Sequence, residues 1–305
     1  MSKDDFQIPF IFLYLLITLM KVKIGLVQMQ MSEDKEANLK KAIKLIKKAA
    51  RKGAQIVALP ELFNTLYFCN IANGDFKNLA EEMNGPTMSA LSKIAKKSQI
   101  VLVAGSIYEL DKTSGKYYNS AVVFDENGNS LGEYRKMHIP HDPSFYEQHY
   151  FEKGDLGYKI FETKYGKIAT LICYDQWFPE AARILALNGV KMIFYPTAIG
   201  RVEEVEQVEG DWQNAWQSVM VGHSAANGII VCAINRVGQE GKSIFWGGSF
   251  IAQFGSVLVG GKSKTNEKEK VLIGEVETDL VEHTQKGWRW LLERRVDSYS
   301  PLLQK

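Results

Sequence analysis

Apolar residues recur along the chain with two spacings that alternate. The stretch KVKIGLVQ, residues 21–28, is rich in β-branched and apolar residues and predicts a strand. The next segment places apolar residues at helical spacing, with lysines on the opposite face. Those apolar positions are Leu39, Ala42, Ile43, Ile46, Ala49 and Ala50. Gly53 then stands where a helix commonly ends. The stretch AQIVALPEL predicts a second strand, and a β–α–β unit of this kind places its two strands parallel and close together.

The same alternation continues through most of the chain. The further predicted helices are MSALSKIAKKSQ, PEAARILALNG and DWQNAWQSVMVGHSAANG. The further predicted strands are IVLVAGSIYEL, GKIATLICYD, VKMIFYPTA, IIVCAIN and VLIGEVE, with hairpins in YNSAVVFDENGNSLGEYRK and SFIAQFGSVLVGG. Strands that alternate with helices, with added antiparallel hairpins, predict an α/β fold whose sheets are covered by helices.

One apolar run does not fit this alternation. Residues 8–20 read IPFIFLYLLITLM, which is shorter than the stretch of about 20 apolar residues that a transmembrane helix needs. The preceding MSKDDF leans acidic and no A-x-A-like cleavage site follows, so a secretory signal is not predicted. We expect residues 1–20 to be an extension and Met20 to be the functional initiator. A membrane-associated or structural N-terminal helix is the alternative.

Composition and charge narrow the class of protein. The 305 residues are 46% hydrophobic and 24% charged, which suits one large globular unit or two modest ones. A net charge of +2, from 37 basic and 35 acidic residues, does not indicate a surface that binds nucleic acid or a membrane. Neither is therefore expected as a partner. Three cysteines do not form a disulfide framework, and we expect a cytoplasmic protein.

Cys173, in LICYDQWFPE, follows an apolar strand and precedes a helix that begins near Pro179. Open α/β sheets place ligands where a strand end faces a helix start. A helix N-terminus lowers the pKa of a cysteine, and the thiolate is the nucleophile. The alternative is a small buried hydrophobic residue, as most lone cysteines are. That alternative suits Cys232, within IIVCAIN, and Cys69, within LYFCN.

A nucleophilic cysteine needs a base, and a cation beside it would help. None of the five histidines stands beside a feature that singles it out. Glu61 ends the strand QIVALPE, and its apolar neighbours suit it to accepting a proton near neutral pH. Lys136 also ends a strand and would stabilise a thiolate and an oxyanion. A lone strand-end glutamate or lysine is usually solvated, but these two residues and Cys173 form a coherent set for nucleophilic catalysis.

The segments that carry these residues are LPELFN, YRKMHIP and LICYDQWFPE, in this order. They resemble the three signature segments of the nitrilase, or carbon–nitrogen hydrolase, superfamily. The resemblance covers residues 21–281, which we expect to form the hydrolase domain, and it implies a four-layer α-β-β-α sandwich. It also implies a homodimer or a larger homo-oligomer. The tail, residues 282–305 with GWRWLLERR, is a candidate subunit contact.

The resemblance also implies roles for the site residues. Cys173 would be the nucleophile of a thioester mechanism, Glu61 the base, and Lys136 a donor to the oxyanion together with the backbone N–H of Tyr174. Glu147, in SFYEQHYF, matches a second glutamate of the superfamily. No metal and no other cofactor is expected, because the chain has no HExxH, no CxxC and no clustered His and Cys.

The residues after the cysteine bear on the substrate. Superfamily members that act on N-carbamoyl amino acids place arginines near this point, and arginine pairs bidentately with carboxylates. Here the first following arginine is Arg183. An acidic and aromatic rim would suit a cationic tail. The candidate substrate-binding residues are Tyr67, Tyr174, Asp175 and Trp177. By resemblance we expect cleavage of the ureido C–N bond of N-carbamoylputrescine, a carbamoylated amine, to putrescine, CO2 and NH3, a step of polyamine biosynthesis.

Several alternatives stay open at this point. Asp175 suits an N-cap of the following helix, Trp177 and Tyr67 suit core packing, and the acids from Glu203 to Asp211 are other candidates for holding an ammonium group. An ω-amidase or a β-ureidopropionase is an alternative activity. A non-catalytic binding protein on the same fold is an alternative of another class, and it would be expected to lack one of the three catalytic residues.

Overall fold

The structure is a computed structural model that describes residues 20–202, 210–262 and 268–304. The apolar run expected to be an N-terminal extension therefore lies outside the described residues, apart from Met20. Within the described residues, no helix is both long enough and apolar enough to cross a membrane.

Helices and strands alternate through the described residues. The helices are α1 (Lys35–Arg51), α2 (Pro86–Ser98), α3 (Pro179–Leu187), α4 (Trp212–Asn227) and α5 (Thr278–Trp288). The strands of the first half are β1 (Lys21–Gln28), β2 (Ile56–Ala58), β3 (Val101–Val103), β4 (Ile107–Asp111), β5 (Lys116–Phe124), β6 (Ser130–Arg135), β7 (Phe161–Thr163) and β8 (Gly166–Thr170). The strands of the second half are β9 (Met192–Thr197), β10 (Gly200–Arg201), β11 (Ile230–Asn235), β12 (Val237–Glu240), β13 (Ser243–Trp246), β14 (Phe250–Gln253), β15 (Ser256–Gly260) and β16 (Lys270–Glu277).

The strands form two main sheets and one small sheet. The first sheet has the order β16-β1-β2-β3-β5-β4, with β6 paired to β5. The second has the order β15-β14-β11-β9-β8-β7. In the first sheet β2 is parallel to β1, with Ile24 opposite Ile56, so the predicted β–α–β unit is confirmed. The small sheet, β10-β13-β12, was not predicted because its strands are short and carry no clear alternation.

The two main sheets face each other and are flanked by helices. On β1, Ile24 and Leu26 belong to the core cluster that also holds Phe194 and Val231 of the second sheet. The opposite face of β1 presents Val27 to a separate cluster formed with residues of α1 and α2. On the far side, α4 contacts β11 and β14. The layers run helices, sheet, sheet, helices, and the predicted four-layer sandwich is confirmed.

Two predicted strands end earlier than the pattern indicated, and both breaks concern the site. IVLVAGSIYEL is not one strand, because Gly105 turns the chain with φ +59 between β3 and β4. A Cβ on this glycine would lie 2.4 Å from the carbonyl oxygen of Pro60, so only glycine fits beneath the loop after β2. Strand β8 ends at Thr170, and the chain then enters a 3₁₀ segment at Cys173–Trp177.

The chain after β16 continues into α5, and residue 281, the expected domain boundary, lies inside this helix. The following tail leaves large apolar side chains exposed, including Trp288, Leu292 and Leu303 at 73%, 74% and 89%. The tail as a subunit contact stays a prediction.

Candidate active site

Three residues that lie one to three positions after the ends of strands converge between the two sheets. Glu61 comes after β2, Lys136 after β6, and Cys173 after β8. Glu61 and Lys136 are fully buried, and Cys173 is 6% exposed. The ammonium Nζ of Lys136 donates to Glu61 Oε1 at 2.8 Å. The structure therefore brings together the base, cation and thiol that the sequence nominated.

Glu147 completes a buried cluster around the lysine. It begins a 3₁₀ segment at Glu147–His149, and its Oε2 accepts a hydrogen bond from Lys136 Nζ at 2.7 Å. Its Oε1 accepts from the hydroxyl of Tyr67 at 2.8 Å. Lys136 thus lies between two carboxylates, and both bonds are charge-assisted.

The two oxygens of Glu61 have different surroundings. Oε1 accepts from Lys136 Nζ and from Asn119 Nδ2, each at 2.8 Å. Oε2 is buried and has no hydrogen-bond partner among the described residues. Buried carboxylate oxygens are normally hydrogen-bonded. Oε2 is therefore free to accept a proton, and the Glu61 carboxylate is close enough to Cys173 to raise the pKa of its thiol.

The charges of this cluster shift the pKa values of its members. Burial disfavours the charged form of Lys136, but the carboxylates of Glu147 and Glu61 outweigh it and hold the lysine pKa well above its usual value. Burial, with a smaller contribution from Glu61, raises the pKa of Glu147 to about 7, against the lowering effect of Lys136. Lys136 therefore stays charged, while Glu147 titrates near neutral pH.

The thiol of Cys173 does not have the lowered pKa that its place before a helix predicted. Burial, followed by the carboxylate of Glu61, raises this pKa well above its usual value, and Lys136 only partly offsets them. The prediction was wrong because a buried site penalises the thiolate more than one helix end favours it. At rest the group is a neutral thiol, so it must transfer its proton when it attacks.

The backbone at Cys173 is strained in a way that suits a nucleophile. Its φ of +43 lies in the left-handed region, which a residue with a Cβ seldom adopts. Such a conformation costs on the order of 1–3 kcal/mol and persists where the surrounding structure imposes it. The next residue, Tyr174, lies in the first turn of the 3₁₀ segment. Its N–H is one of those that a helix start leaves without an intrahelical acceptor.

A cavity of about 440 Å³ opens beside Cys173. Its lining includes Cys173 and Glu147 at one end and the aromatic side chains of Phe145, Tyr174, Trp177 and Trp212. Two charged, solvent-exposed residues, Asp142 and Arg201, also line it. The cavity is large enough for a small linear substrate with its reactive carbon at the thiol.

Comparison with known proteins agrees with this geometry. A family model described as carbon-nitrogen hydrolase matches residues 23–286. The chain belongs to this family. The crystal structure of a carbon-nitrogen hydrolase from Helicobacter pylori G27 superposes with a TM-score of 0.87 at 37% identity, covering 94% of this chain and 99% of that one.

Curated relatives of this carbon–nitrogen hydrolase carry different activity names, including N-carbamoylputrescine amidase, citrullinase and, at 33% identity in Xenopus, omega-amidase. An N-carbamoylputrescine amidase from Oryza sativa subsp. japonica is 39% identical over 290 residues, which cover 93% of this chain and 95% of the relative. A citrullinase from Francisella tularensis subsp. tularensis is 36% identical over 291 residues, which cover 93% of this chain and 99% of the relative. The superfamily expected from the three sequence segments is confirmed.

Asp175 does not lie on the cavity wall of the hydrolase, contrary to the role expected for it. It is fully buried, and its carboxylate accepts from Ile172 N at 2.9 Å, from Tyr134 Oη at 2.7 Å and from His138 N at 3.0 Å. Its Oδ1 also lies 2.7 Å from His138 Nδ1. Asp175 ties the segment after Lys136 to the turn at Cys173. It does not cap α3 either, since the N-cap of that helix is Phe178.

Of the other candidate binding residues, two line the cavity and one does not. Tyr174 and Trp177 line the cavity, as predicted. Tyr67 is 1% exposed and serves Glu147 through its hydroxyl, so its place is behind the catalytic cluster. Among the alternative acids, Asp211 caps α4 and pairs with Lys262, and residues 203–209 lie outside the described part of the chain.

Sequence reasoning missed three polar or charged residues of the cavity lining, Asp142, Gln176 and Arg201. Asp142 and Arg201 follow the conspicuous segments YRKMHIP and YPTAIG, and their closeness to strand ends was the available clue. Gln176 is fully buried, and its Oε1 accepts from Trp216 Nε1 at 2.8 Å. Its Nε2 has no partner among the described residues.

The other two cysteines are buried, and the described residues offer no metal site. Cys232 is fully buried in β11, and burial alone raises its pKa. Cys69 is also fully buried, with its pKa raised mainly by burial. The described residues contain no group of three or more His, Cys, Asp or Glu side chains arranged to hold a metal ion.

Proposed function

We propose that the protein hydrolyses the ureido C–N bond of N-carbamoylputrescine to putrescine, CO2 and NH3 through a thioester on Cys173. The proposal rests on the buried Glu61, Lys136 and Cys173 cluster, on the cavity that opens beside the thiol, and on relatives that carry this substrate name at 38–39% identity.

The first step is attack by the thiol. Glu61 Oε2, which has no other partner among the described residues, accepts the thiol proton as the sulfur bonds to the ureido carbon. The raised pKa of Cys173 makes this coupled transfer necessary, because a free thiolate is scarce at neutral pH. The carbonyl oxygen becomes an oxyanion in the tetrahedral intermediate.

In the next steps the leaving nitrogen departs and the thioester is then hydrolysed. Lys136 Nζ and the Tyr174 N–H donate to the oxyanion, a kind of contact whose loss typically costs about 100- to 1,000-fold in kcat. The intermediate collapses as Glu61 returns the proton to the leaving nitrogen. Water, deprotonated by the same carboxylate, then attacks the carbamoyl thioester. Ammonia is the nitrogen that leaves first, so the thioester keeps the putrescine nitrogen, and its hydrolysis regenerates the thiol and releases a carbamate that decomposes to CO2 and putrescine.

One observation carries the choice of an amine tail, namely the Asp142 carboxylate in a cavity lining that is largely aromatic and apolar. Glu147 also lines the cavity, but Lys136 and Tyr67 already occupy its two oxygens. Among the cavity-lining residues that the structure describes, Asp142 is thus the acid left to pair with a distal ammonium group. The faces of Tyr174 and Trp177 suit both the methylene chain and the cation.

A second candidate is favoured by Arg201, which lines the same cavity. An arginine and an aspartate together suit a tail with both a carboxylate and an ammonium group, as in L-citrulline. The relative named citrullinase is 36% identical. N-carbamoyl-β-alanine, with a carboxylate and no ammonium group, would find Arg201 but would meet Asp142 unfavourably.

Ammonia release from purified protein tests the proposal. The panel is N-carbamoylputrescine, L-citrulline, N-carbamoyl-β-alanine and an ω-amide. With N-carbamoylputrescine as substrate, Asp142→Asn should raise KM about tenfold, equivalent to about 1.4 kcal/mol. Arg201→Gln should leave that KM nearly unchanged. Glu152→Gln, which removes an exposed carboxylate outside the cavity lining, is the matched control.

The same panel separates the candidates. Efficient turnover of L-citrulline that Arg201→Gln abolishes would replace the amine assignment with the amino-acid one. Efficient turnover of the ω-amide alone would move the protein to the ω-amidase class. No turnover of any substrate by folded protein would favour a binding protein on this fold.

A further inference from the structure

A buried ion pair outside the cavity contacts the loop that carries Glu61. Arg236, between β11 and β12, is fully buried, and Glu240, at the end of β12, is 4% exposed. Arg236 Nη2 donates to Glu240 Oε1 at 2.6 Å and Oε2 at 2.8 Å, and its Nε donates to Oε1 at 3.0 Å. Neither residue lines the cavity.

The arginine also binds the loop that follows β2. Its Nη2 donates to the carbonyl oxygen of Thr65 at 2.9 Å. Its Nη1 lies at 3.4 Å and 3.5 Å from the carbonyl oxygens of Glu61 and Leu62. One guanidinium group thus reaches three carbonyl groups of the short loop that presents the base.

This loop needs an external support. Leu62 has φ +45, a left-handed conformation that a leucine does not adopt without constraint. Its N–H donates to Ser106 Oγ at 3.0 Å, while Arg236 binds its carbonyl side. Without the guanidinium, the strained turn would relax and Glu61 would move relative to Cys173.

Glu240 extends the same support to the second glutamate. Its Oε2 accepts from the backbone N–H of Tyr67 at 2.7 Å. The Tyr67 hydroxyl donates in turn to Glu147 Oε1. A continuous chain of bonds therefore runs from Arg236 through Glu240 and Tyr67 to Glu147, while a second branch runs directly to Glu61.

Burying two charges is costly unless their hydrogen bonds are satisfied. Here the arginine uses all three of its nitrogens on the ion pair and on loop carbonyls. The face of Phe245 covers the guanidinium at 5.0 Å. The same phenylalanine ring packs edge-on against Tyr67, with centroids 5.6 Å apart. These contacts tie the ion pair to the loop after β2 rather than to the core in general.

We propose that Arg236 and Glu240 are positioning residues that hold Glu61 and Glu147 in register with Lys136 and Cys173. The inference rests on the proposed function, because it takes Glu61 as the base and Glu147 as the partner of Lys136. Misplacing a catalytic group by about 1 Å can cost about 100-fold in rate. The pair should therefore act on turnover rather than on substrate binding, which depends on the cavity walls.

The test uses Arg236→Lys and Glu240→Gln in the full-length protein. Both keep a polar side chain of similar length, and Arg236→Lys keeps the charge. We measure kcat, KM and the pH profile of kcat/KM for N-carbamoylputrescine, expressed per folded molecule from circular dichroism. For Arg236→Lys we expect kcat to fall by at least about tenfold with KM within about threefold of wild type, the pattern of a lost transition-state contribution. The kcat of Glu240→Gln should fall less, because the amide oxygen still accepts the hydrogen bond from the Tyr67 N–H.

Loss of stability alone must be separated from loss of positioning. Lys35→Met removes another partly buried ion pair, Lys35 Nζ to Glu81 Oε1 at 2.7 Å, away from the cavity lining. It should lower the melting temperature while leaving kcat and the pH profile unchanged. Arg236→Lys should move the midpoint of the acid limb of the pH profile, because it changes the environment of Glu147 through Glu240 and Tyr67.

Two results would overturn the inference. An Arg236→Lys protein with wild-type kcat and an unmoved pH profile would show that the pair only stabilises the fold. A rise in KM with kcat unchanged would place the pair in substrate binding instead. Glu61→Gln distinguishes failure of the underlying proposal: if it too keeps wild-type kcat, the proposed catalytic role of Glu61 is wrong, and not merely its positioning.

Discussion

Lys136 Nζ lies 2.8 Å from Glu61 Oε1 and 2.7 Å from a carboxylate oxygen of Glu147, with all three side chains buried. With one cation between two carboxylates, one negative charge is left uncompensated, so the cluster can accept a proton. The proposed mechanism needs such an acceptor, since the neighbouring thiol is neutral at rest.

Cys173→Ala should abolish ammonia release while leaving the fold intact, because no covalent intermediate can form. Circular dichroism and a steady-state assay check the two parts. Cys232→Ala is the matched control, since Cys232 is a buried cysteine of the same sheet with no charged partner. Activity of Cys173→Ala within tenfold of wild type, or loss of activity only in Cys232→Ala, would reverse the assignment.

Glu61→Gln should lower kcat by about 100- to 10,000-fold, the usual contribution of a general base. The amide keeps the shape and the bond to Lys136 but cannot accept the thiol proton. Glu147→Gln should be milder, at up to about 100-fold, because its part is to orient Lys136. Single-turnover kinetics on both variants measures this order. A greater loss in Glu147→Gln would mean that the two carboxylates have been assigned in the wrong order.

The activity should depend on pH through Glu147. Its pKa is raised to about 7, so it is protonated below that pH and charged above it. A protonated Glu147 no longer balances Lys136. We therefore expect kcat/KM to fall as the pH drops through about 7 and to stay level above it, because the lysine remains charged. In Glu147→Gln the midpoint near 7 should be lost, and a wild-type profile in that variant would rule out this source.

How far the sequence predicts the site depends on the range of the contacts. Glu61, Lys136 and Cys173 could be found because each follows an apolar strand, and strand ends of one sandwich meet at one edge. The hydrogen bonds from Asp175 to His138 and from Tyr67 to Glu147 join residues far apart in the chain, so no local sequence pattern predicts them. Burial of Asp175 depends on the 3₁₀ turn at Cys173, which replaced a predicted strand end.

The same limit explains the other differences. Strands β12 and β13 are four residues each, too short for an alternation to be recognised, and the Arg236–Glu240 pair flanks β12, with Arg236 just before it and Glu240 at its end. Of the two aspartates, Asp142 lines the cavity and Asp175 does not, since which acid faces a cavity is decided by loop conformation and not by distance in sequence.

Asp175→Ala should destabilise the fold by about 2–5 kcal/mol, because it leaves buried donors unpaired. Those donors are Ile172 N, Tyr134 Oη and His138 N. Asp211→Ala, which removes an exposed N-cap from α4, should cost only about 1 kcal/mol. Urea denaturation of the two variants compares them. Equal losses would contradict the clamp assigned to Asp175.

The ratio of kcat/KM for N-carbamoylputrescine to that for N-carbamoyl-β-alanine tests the central claim most directly. The two substrates share the ureido group and differ in the charge at the far end, where Asp142 lines the cavity. At matched pH and salt, the account predicts a ratio of roughly 100 or more, since each 1.36 kcal/mol is about tenfold. Equal values for the two substrates would contradict it.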